Sequence, residues 1–380
     1  MNSNHCLDSH FPELDGIRGM AITLVLIFHC MPLNSLPMSD FIAPIKASCW
    51  IGVDLFFVLS GFLITRILIG LKQTQKKYLI FYGRRSLRIF PLYYFTLTVV
   101  FFLLIKNADI HYTIQYCAPM KWFFLYAYNI YIWINNSWAI SDYLNHFWSL
   151  CVEEQFYLFW PLIIFTFQSA RLPFVMTAII TAAISFKTCL FFIGMTAPVL
   201  FTNMFARMDC FAFGGLAAYA HLYWDKAIIT KKARFLFFLS FSILMLTGII
   251  EKGIHAASPL ILVVMTPIIA LFFSCLIYLS LNDGIIPVKR FLSNNILRLL
   301  GKYSYGIYIY HWIIFVSIIR FDVLSLHIEN PWLQFITVLL ATFSVSFLSF
   351  HLLEQHFLKA KKYFTFQIKP ERHKTVCQAR

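Results

Sequence analysis

A histidine, His29, stands inside the first apolar segment of the chain, and an arginine, Arg18, stands at that segment's start. Eleven helical residues turn through about three full circuits and rise about 16 Å. The two side chains are therefore expected on one helix face, separated in depth by about half a bilayer. An ionisable group so deep in hydrocarbon is costly and marks a functional site by default. A neutral imidazole can take a proton from a hydroxyl near neutral pH, which makes His29 a candidate general base. The planar guanidinium of Arg18 can grip a phosphate or carboxylate through two parallel hydrogen bonds. Plainer roles stand beside these: His29 bonding to another helix, and Arg18 snorkelling to the interface.

A second polar set lies in a later apolar segment, His146-Phe-Trp-Ser149-Leu-Cys-Val-Glu153-Glu154-Gln155-Phe-Tyr157. Ser149, Glu153 and Tyr157 repeat every four residues and form one stripe on a helix. Glu153 is the first candidate to orient the His29 ring, and Asp54 the second. Arg207 and Asp209 fall at a matching depth in another segment. Glu153 and Glu154 with His146 invite a metal reading, but adjacent helical residues point about 100° apart, and no metal is expected. No nucleophile-elbow sequence surrounds Ser149, so hydrogen bonding is expected of it rather than covalent catalysis. Arg66, Arg84, Arg85 and Arg88 can complete a basic vestibule with Arg18, or serve only to orient the chain in a membrane.

The elements that must hold these residues are membrane helices. With 60% hydrophobic and 13% charged residues, apolar stretches of spanning length recur along nearly the whole chain. Ten spans are expected, at roughly 14–31, 50–71, 88–106, 147–169, 172–193, 206–223, 234–250, 258–281, 301–320 and 332–353, in one all-α bundle. Met1–Pro12 lacks the features of a cleaved signal. The net charge of +14 is concentrated in alternate loops, which is the membrane-orientation signal and not a nucleic-acid footprint. Lysines and arginines crowd the connections after spans two, six, eight and ten, so both termini are expected in the cytoplasm. Nine cysteines are scattered without a Cys-x-x-Cys pair. Cys30 and Cys49 flank one short loop and can pair in an oxidising compartment. The stretch 107–146, rich in Trp and Tyr, reads as an aromatic belt at the outer interface or as a platform on which sugar rings stack.

Several runs resemble the acyltransferase-3 family of integral membrane acyltransferases. They include Leu14-Asp-Gly-Ile-Arg18-Gly with His29; Gly52-Val-Asp54 through Ser60-Gly61-Phe62-Leu-Ile-Thr65; and Arg84-Arg85-Ser-Leu-Arg88-Ile-Phe-Pro91-Leu-Tyr93. Phe147-Trp148-Ser149 through Trp160-Pro161, Arg207-Met-Asp209 with Gly214-Gly215, Gly301 through Tyr308 with His311, and His351-Leu-Leu-Glu354 follow in order. The family often shows Glu-Arg-Pro near the last of these, where Gln355-His356 follow Glu354 here.

The resemblance implies a transmembrane-only form over about residues 1–360, with a basic cytoplasmic tail at 361–380. It implies transfer of an acyl group, usually acetyl from acetyl-CoA, to a hydroxyl of a cell-envelope carbohydrate such as O-antigen, lipopolysaccharide, exopolysaccharide or peptidoglycan. His29, Glu153, Ser149 and Asp54 are then expected to carry catalysis, with His29 as base or transient acyl carrier. Arg18, Arg66, Arg84, Arg85, Arg88 and Tyr157 are expected on the acyl-CoA side, and Arg207, Asp209 and Trp148 on the carbohydrate side. The expected setting is a bacterial inner membrane, with glycan-assembly proteins as candidate partners. A transporter of lipid-linked saccharides or protons is the alternative use of the same buried groups.

Overall fold

In hydrocarbon a peptide group must find its hydrogen bond inside the protein, which favours helices for every apolar segment. The computed structural model describes residues 11–32, 39–107, 120–138, 143–282, 286–320 and 328–364, and its regular elements there are all helical. Each of the ten expected segments coincides with a long helix. In order these are α1 (Pro12–Cys30), α3 (Ile51–Leu71), α4 (Lys77–Asn107), α7 (Trp148–Thr166), α8 (Leu172–Phe192), α10 (Met204–Tyr223), α11 (Lys226–Ile250), α12 (Pro259–Asn282), α14 (Asn295–Phe315) and α15 (Pro331–Ser349). Shorter helices fill the connections: α2 (Ser39–Ser48), α5 (Met120–Phe124), α6 (Tyr128–Asn135), α9 (Ala197–Thr202) and α13 (Ile286–Leu292).

Among the described residues, 6 stretches are long and apolar enough by length and composition to cross a membrane, built on α3, α4, α8, α11, α12 and α15. The chain is thus a multi-pass membrane protein, with fewer crossings established than the ten expected. The helices that fall short, α1, α7, α10 and α14, are those that carry most of the polar residues singled out above. Their neighbours make this tolerable. The α11 stretch and the stretch from Pro331 are only 17% buried and present apolar side chains outward, whereas the α3 stretch is 72% buried at the centre.

Two crossings set the geometry of the centre. A Cβ on Gly61 would overlap the Phe211 carbonyl, and one on Gly214 the Val58 carbonyl, so α3 and α10 pack backbone against backbone. Small residues permit such approach where lipid provides no hydrophobic drive to associate. At the second crossing, Gly16, Gly19 and Gly301 bring α1 against Leu292, Leu297 and α14. The Asn203 side chain caps α10 by accepting from the N–H groups of Phe205 and Ala206, which fixes Arg207 in the first turn.

Two expectations change here. Cys30 and Cys49 are both buried free thiols and not a disulfide. The aromatic stretch is partly core, neither belt nor platform at Tyr126 and Tyr128. Tyr126 stacks on Tyr93 at 4.0 Å, and Tyr128 on Phe123 at the same separation. The Gln155 amide holds this segment in place, donating to the Tyr126 carbonyl and to Asn129 Oδ1. The basic tail beyond 364 lies outside the described residues.

Replacing Gly214 by valine forces α3 and α10 apart and is expected to cost about 1–3 kcal/mol or more. Gly248→Ala, in α11 with nothing within 4 Å of the added Cβ, is expected to be neutral or slightly stabilising. Thermal unfolding of the two variants in detergent, followed by native-protein recovery, measures the difference.

Candidate active site

Helices α1, α3, α4, α7 and α14 line a partly open cavity of about 100 Å³. Arg18, from the second turn of α1, lines it together with Arg85 and Arg88 from successive turns of α4. Arg18 Nη1 also donates to Asp15 Oδ1 at 2.9 Å. The Arg85 guanidinium lies 5.2 Å over the Tyr157 ring, where its charge meets the π face. Three guanidinium groups lining one cavity have the chemistry to bind phosphate or carboxylate oxygens.

The Ser149, Glu153 and Tyr157 stripe of α7 lines one wall, and Ser60 of α3 joins it. The Ser60 and Tyr157 hydroxyls both donate to Glu153 Oε1, so this carboxylate is held by two hydroxyls and does not contact His29. Ser149 bonds instead to the Tyr308 hydroxyl of α14, and both hydroxyls lie within 3.2 Å of the His146 carbonyl. Glu154, Ser304 and Tyr305 complete the polar lining, against an apolar wall that includes Val53, Phe56, Leu63 and Ile89.

His29 stands beyond this cavity and not among its lining residues. Its Nδ1 lies 3.1 Å from Nε2 of His311, one turn along α14 from Tyr308. Phe28 and Trp312 flank the ring at 5.0 and 5.1 Å between centroids. His146 packs against the other side of His311 at 5.0 Å. The partner of His29 is therefore an imidazole, where a carboxylate was expected. Glu153 is engaged by hydroxyls and Asp54 by an arginine.

That arginine is Arg207. Both side chains of the Asp54–Arg207 ion pair are fully buried, and the guanidinium lies over Phe57 at 5.6 Å and Phe201 at 5.5 Å. Asp209 forms a second fully buried pair with Lys187, at 2.6 Å. Trp148 is buried between Phe57 and Phe201. Asp54, Arg207, Asp209 and Trp148 thus stand together in the interior that joins α3, α7, α8 and α10, rather than around His29. Arg66 packs its guanidinium on Phe11 at 4.7 Å, and Arg84 donates to the Phe364 carbonyl at 3.2 Å; neither lines the cavity.

Lys187 and His311 were not singled out for chemistry in the sequence, and neither was Ser60. For Lys187 a signal existed, since it is the one charge within α8 and must have an internal partner. His311 and Ser60 sit in ordinary-looking apolar helices, and only the packing of α14 on α1 and of α3 on α7 reveals their contacts. Among the described residues, no group of three His, Cys, Asp or Glu side chains is placed to hold a metal ion.

Comparison with known proteins adds chemistry to this geometry. A family model described as an acyltransferase domain matches residues 11–351. The peptidoglycan O-acetyltransferase OatA of Listeria monocytogenes is 27% identical over 394 residues, covering 95% of this chain and 60% of that protein. O-acetyltransferase OatA of Staphylococcus aureus is 28% identical over 395 residues, with 96% of this chain and 59% of its own length covered. The putative peptidoglycan O-acetyltransferase YrhL of Bacillus subtilis is 28% identical over 375 residues, covering 91% and 54%. The chain spans three fifths or less of the length of these relatives. No solved structure matches it.

Removing one member of a buried ion pair leaves the other uncompensated, at a cost of about 3–5 kcal/mol, whereas replacing both with apolar groups is often neutral. Asp54→Leu alone is therefore expected to abolish recovery of folded protein, and Asp54→Leu with Arg207→Met to restore most of it. Size-exclusion profiles and thermal unfolding in detergent report both.

Proposed function

Because the chain belongs to the acyltransferase-3 family, we propose that it is a membrane O-acetyltransferase moving acetyl from cytoplasmic acetyl-CoA to a hydroxyl of a cell-envelope carbohydrate. The observation that carries this reading is one continuous cavity. Its lining includes Arg18, Arg85 and Arg88 as well as Ser149 and Tyr308, and Tyr308 lies one helical turn from His311, the partner of His29. The arginines suit the phosphates of the donor. Arg84, next to Arg85 in α4, adds positive charge near that mouth without lining the cavity, whereas Arg66 packs on Phe11. The mixed apolar and hydroxyl walls, with Tyr157 among them, suit an extended arm ending in a thioester.

His29 is half-buried, whereas His311 behind it is fully buried. The acceptor hydroxyl would reach His29 from the side away from the cavity, so that only the acetyl group passes between the two compartments. Ser149 and Tyr308, bonded to each other and to the His146 carbonyl, would form the polar wall beside the thioester, and Glu153 would hold Ser60 and Tyr157 in register. The two buried ion pairs keep the supporting helices in place, and Trp148 packs beside them. The relatives' names favour peptidoglycan as the acceptor over lipopolysaccharide or exopolysaccharide.

A ten-span arrangement with both termini cytoplasmic in a bacterial inner membrane fits this reading, and helix directions support it. The pairings Asp15 to Gly301 and His29 to His311 make α1 and α14 parallel, as spans one and nine require. Asp54 with Arg207 and Thr65 with Gly215 make α3 and α10 parallel, as spans two and six require. Lys187 with Asp209 and Met176 with Gly215 make α8 and α10 antiparallel, as spans five and six require.

The test uses the purified full chain in proteoliposomes, labelled acetyl-CoA and an envelope glycan fraction. His29→Ala is expected to lower acceptor-dependent labelling by about 10²–10⁴-fold with the protein still folded. Arg88→Gln is expected to raise KM for acetyl-CoA more than it lowers kcat. Saccharide or proton movement without label transfer would favour a transporter instead.

A further inference from the structure

A backbone carbonyl can only accept, so a ring nitrogen bonded to one must carry the hydrogen. His311 Nδ1 lies 2.7 Å from the Tyr308 carbonyl oxygen and 3.2 Å from that of Ile307, in its own helix. Nδ1 of His311 is therefore the N–H. In a neutral imidazole the other nitrogen, Nε2, then bears the lone pair. That lone pair faces Nδ1 of His29 at 3.1 Å, and a hydrogen bond there requires His29 to donate from Nδ1. Nε2 of His29 is left with a lone pair of its own.

We infer that His311 is a positioning residue which holds His29 in the tautomer whose Nε2 accepts the proton of the incoming hydroxyl. This inference rests on the acetyl-transfer reading. A carboxylate does such work elsewhere, but among the described residues none contacts His29, and Glu153 and Asp54 have other partners. The α14 backbone supplies the anchor instead. Phe28 and Trp312 flank the His29 ring and limit its rotation away from His311.

In the transfer, the acceptor oxygen attacks the acetyl carbonyl carbon, a C–O bond forms and the C–S bond breaks. The hydroxyl proton goes to His29 Nε2 and then to the departing thiolate sulfur, so no proton is gained or lost overall. While His29 holds it, the added charge is shared along Nδ1–H to His311 and from there to the carbonyls of Ile307 and Tyr308. A neutral partner adds no fixed charge to a site that must stay dry, yet it selects the tautomer.

Two measurements test this. Protein labelled with ¹⁵N-histidine, with His29 assigned by the signal missing in His29→Ala, is expected to show a protonated Nδ1 and an unprotonated Nε2 at His29. This is the less common tautomer of free histidine, and a protonated Nε2 in the neutral ring would overturn the proposal without any activity measurement. In the second, His311→Asn keeps a polar group near the carbonyls but removes the acceptor, and is expected to lower kcat by at least about 10²-fold. KM for acetyl-CoA should change less than about twofold, and His311→Gln, which can place a carbonyl oxygen near Nδ1 of His29, should regain most of the loss. Wild-type kcat in folded His311→Asn would overturn the inference while the acetyl-transfer reading stands. Full activity in His29→Ala would instead sink that reading, with the tautomer still decided by the spectrum.

Discussion

Ionisable groups cannot face hydrocarbon without a partner, and the arrangement of this molecule follows from that cost. Charged residues of α3, α8 and α10 turn inward and find one another, as Asp54 with Arg207 and Lys187 with Asp209, and Glu153 of α7 is held by two hydroxyls. The outer helices then need only be apolar, and α11 and the stretch from Pro331 meet that need with side chains exposed along most of their length. Such pairs are poor sources of net stability compared with well-packed apolar groups. Their value here lies in register, because each pair joins two helices at one height only.

The same constraint separates two kinds of polar residue that look alike in the chain. Arg207 is fully buried between aromatic faces and does not line the cavity onto which Arg18, Arg85 and Arg88 open. Glu153 is reached by two hydroxyls within that cavity, and Asp209 is sealed with a lysine. Cavity access, and not charge or depth, distinguishes groups available to a ligand from groups that hold the scaffold.

The close approach of α1 and α14 then joins the two halves of the site. The glycines at their crossing remove the side chains that would hold the backbones apart, and parallel packing carries His29 up beside His311. Arg18 at one end of α1 meets the α4 arginines, and His29 at the other meets the α14 histidine. One helix thereby spans the distance between the arginine-lined cavity and the His29–His311 pair.

Much of this was legible in the residues. Apolar stretches of spanning length fell on the long helices, because bilayer thickness sets how many apolar residues a crossing needs without reference to partners. Only 6 stretches among the described residues, however, are long and apolar enough to cross. The Ser149, Glu153 and Tyr157 stripe needed only helical spacing to be seen, and the ordered motifs carried the family. Partner identity was not legible. Depth along a helix is a one-dimensional quantity, so it placed Asp54, Glu153 and Arg207 level with His29 but could not say which helix stood beside which. Packing around α3 decided that Asp54 meets Arg207, and packing at the α1–α14 crossing decided that His29 meets His311. The sequence by itself determined how many polar groups the bundle must shelter and at what height. Only the tertiary structure decided their pairing, because pairing depends on azimuth and neighbour order, which glycine contacts and shape set across helices distant in the chain.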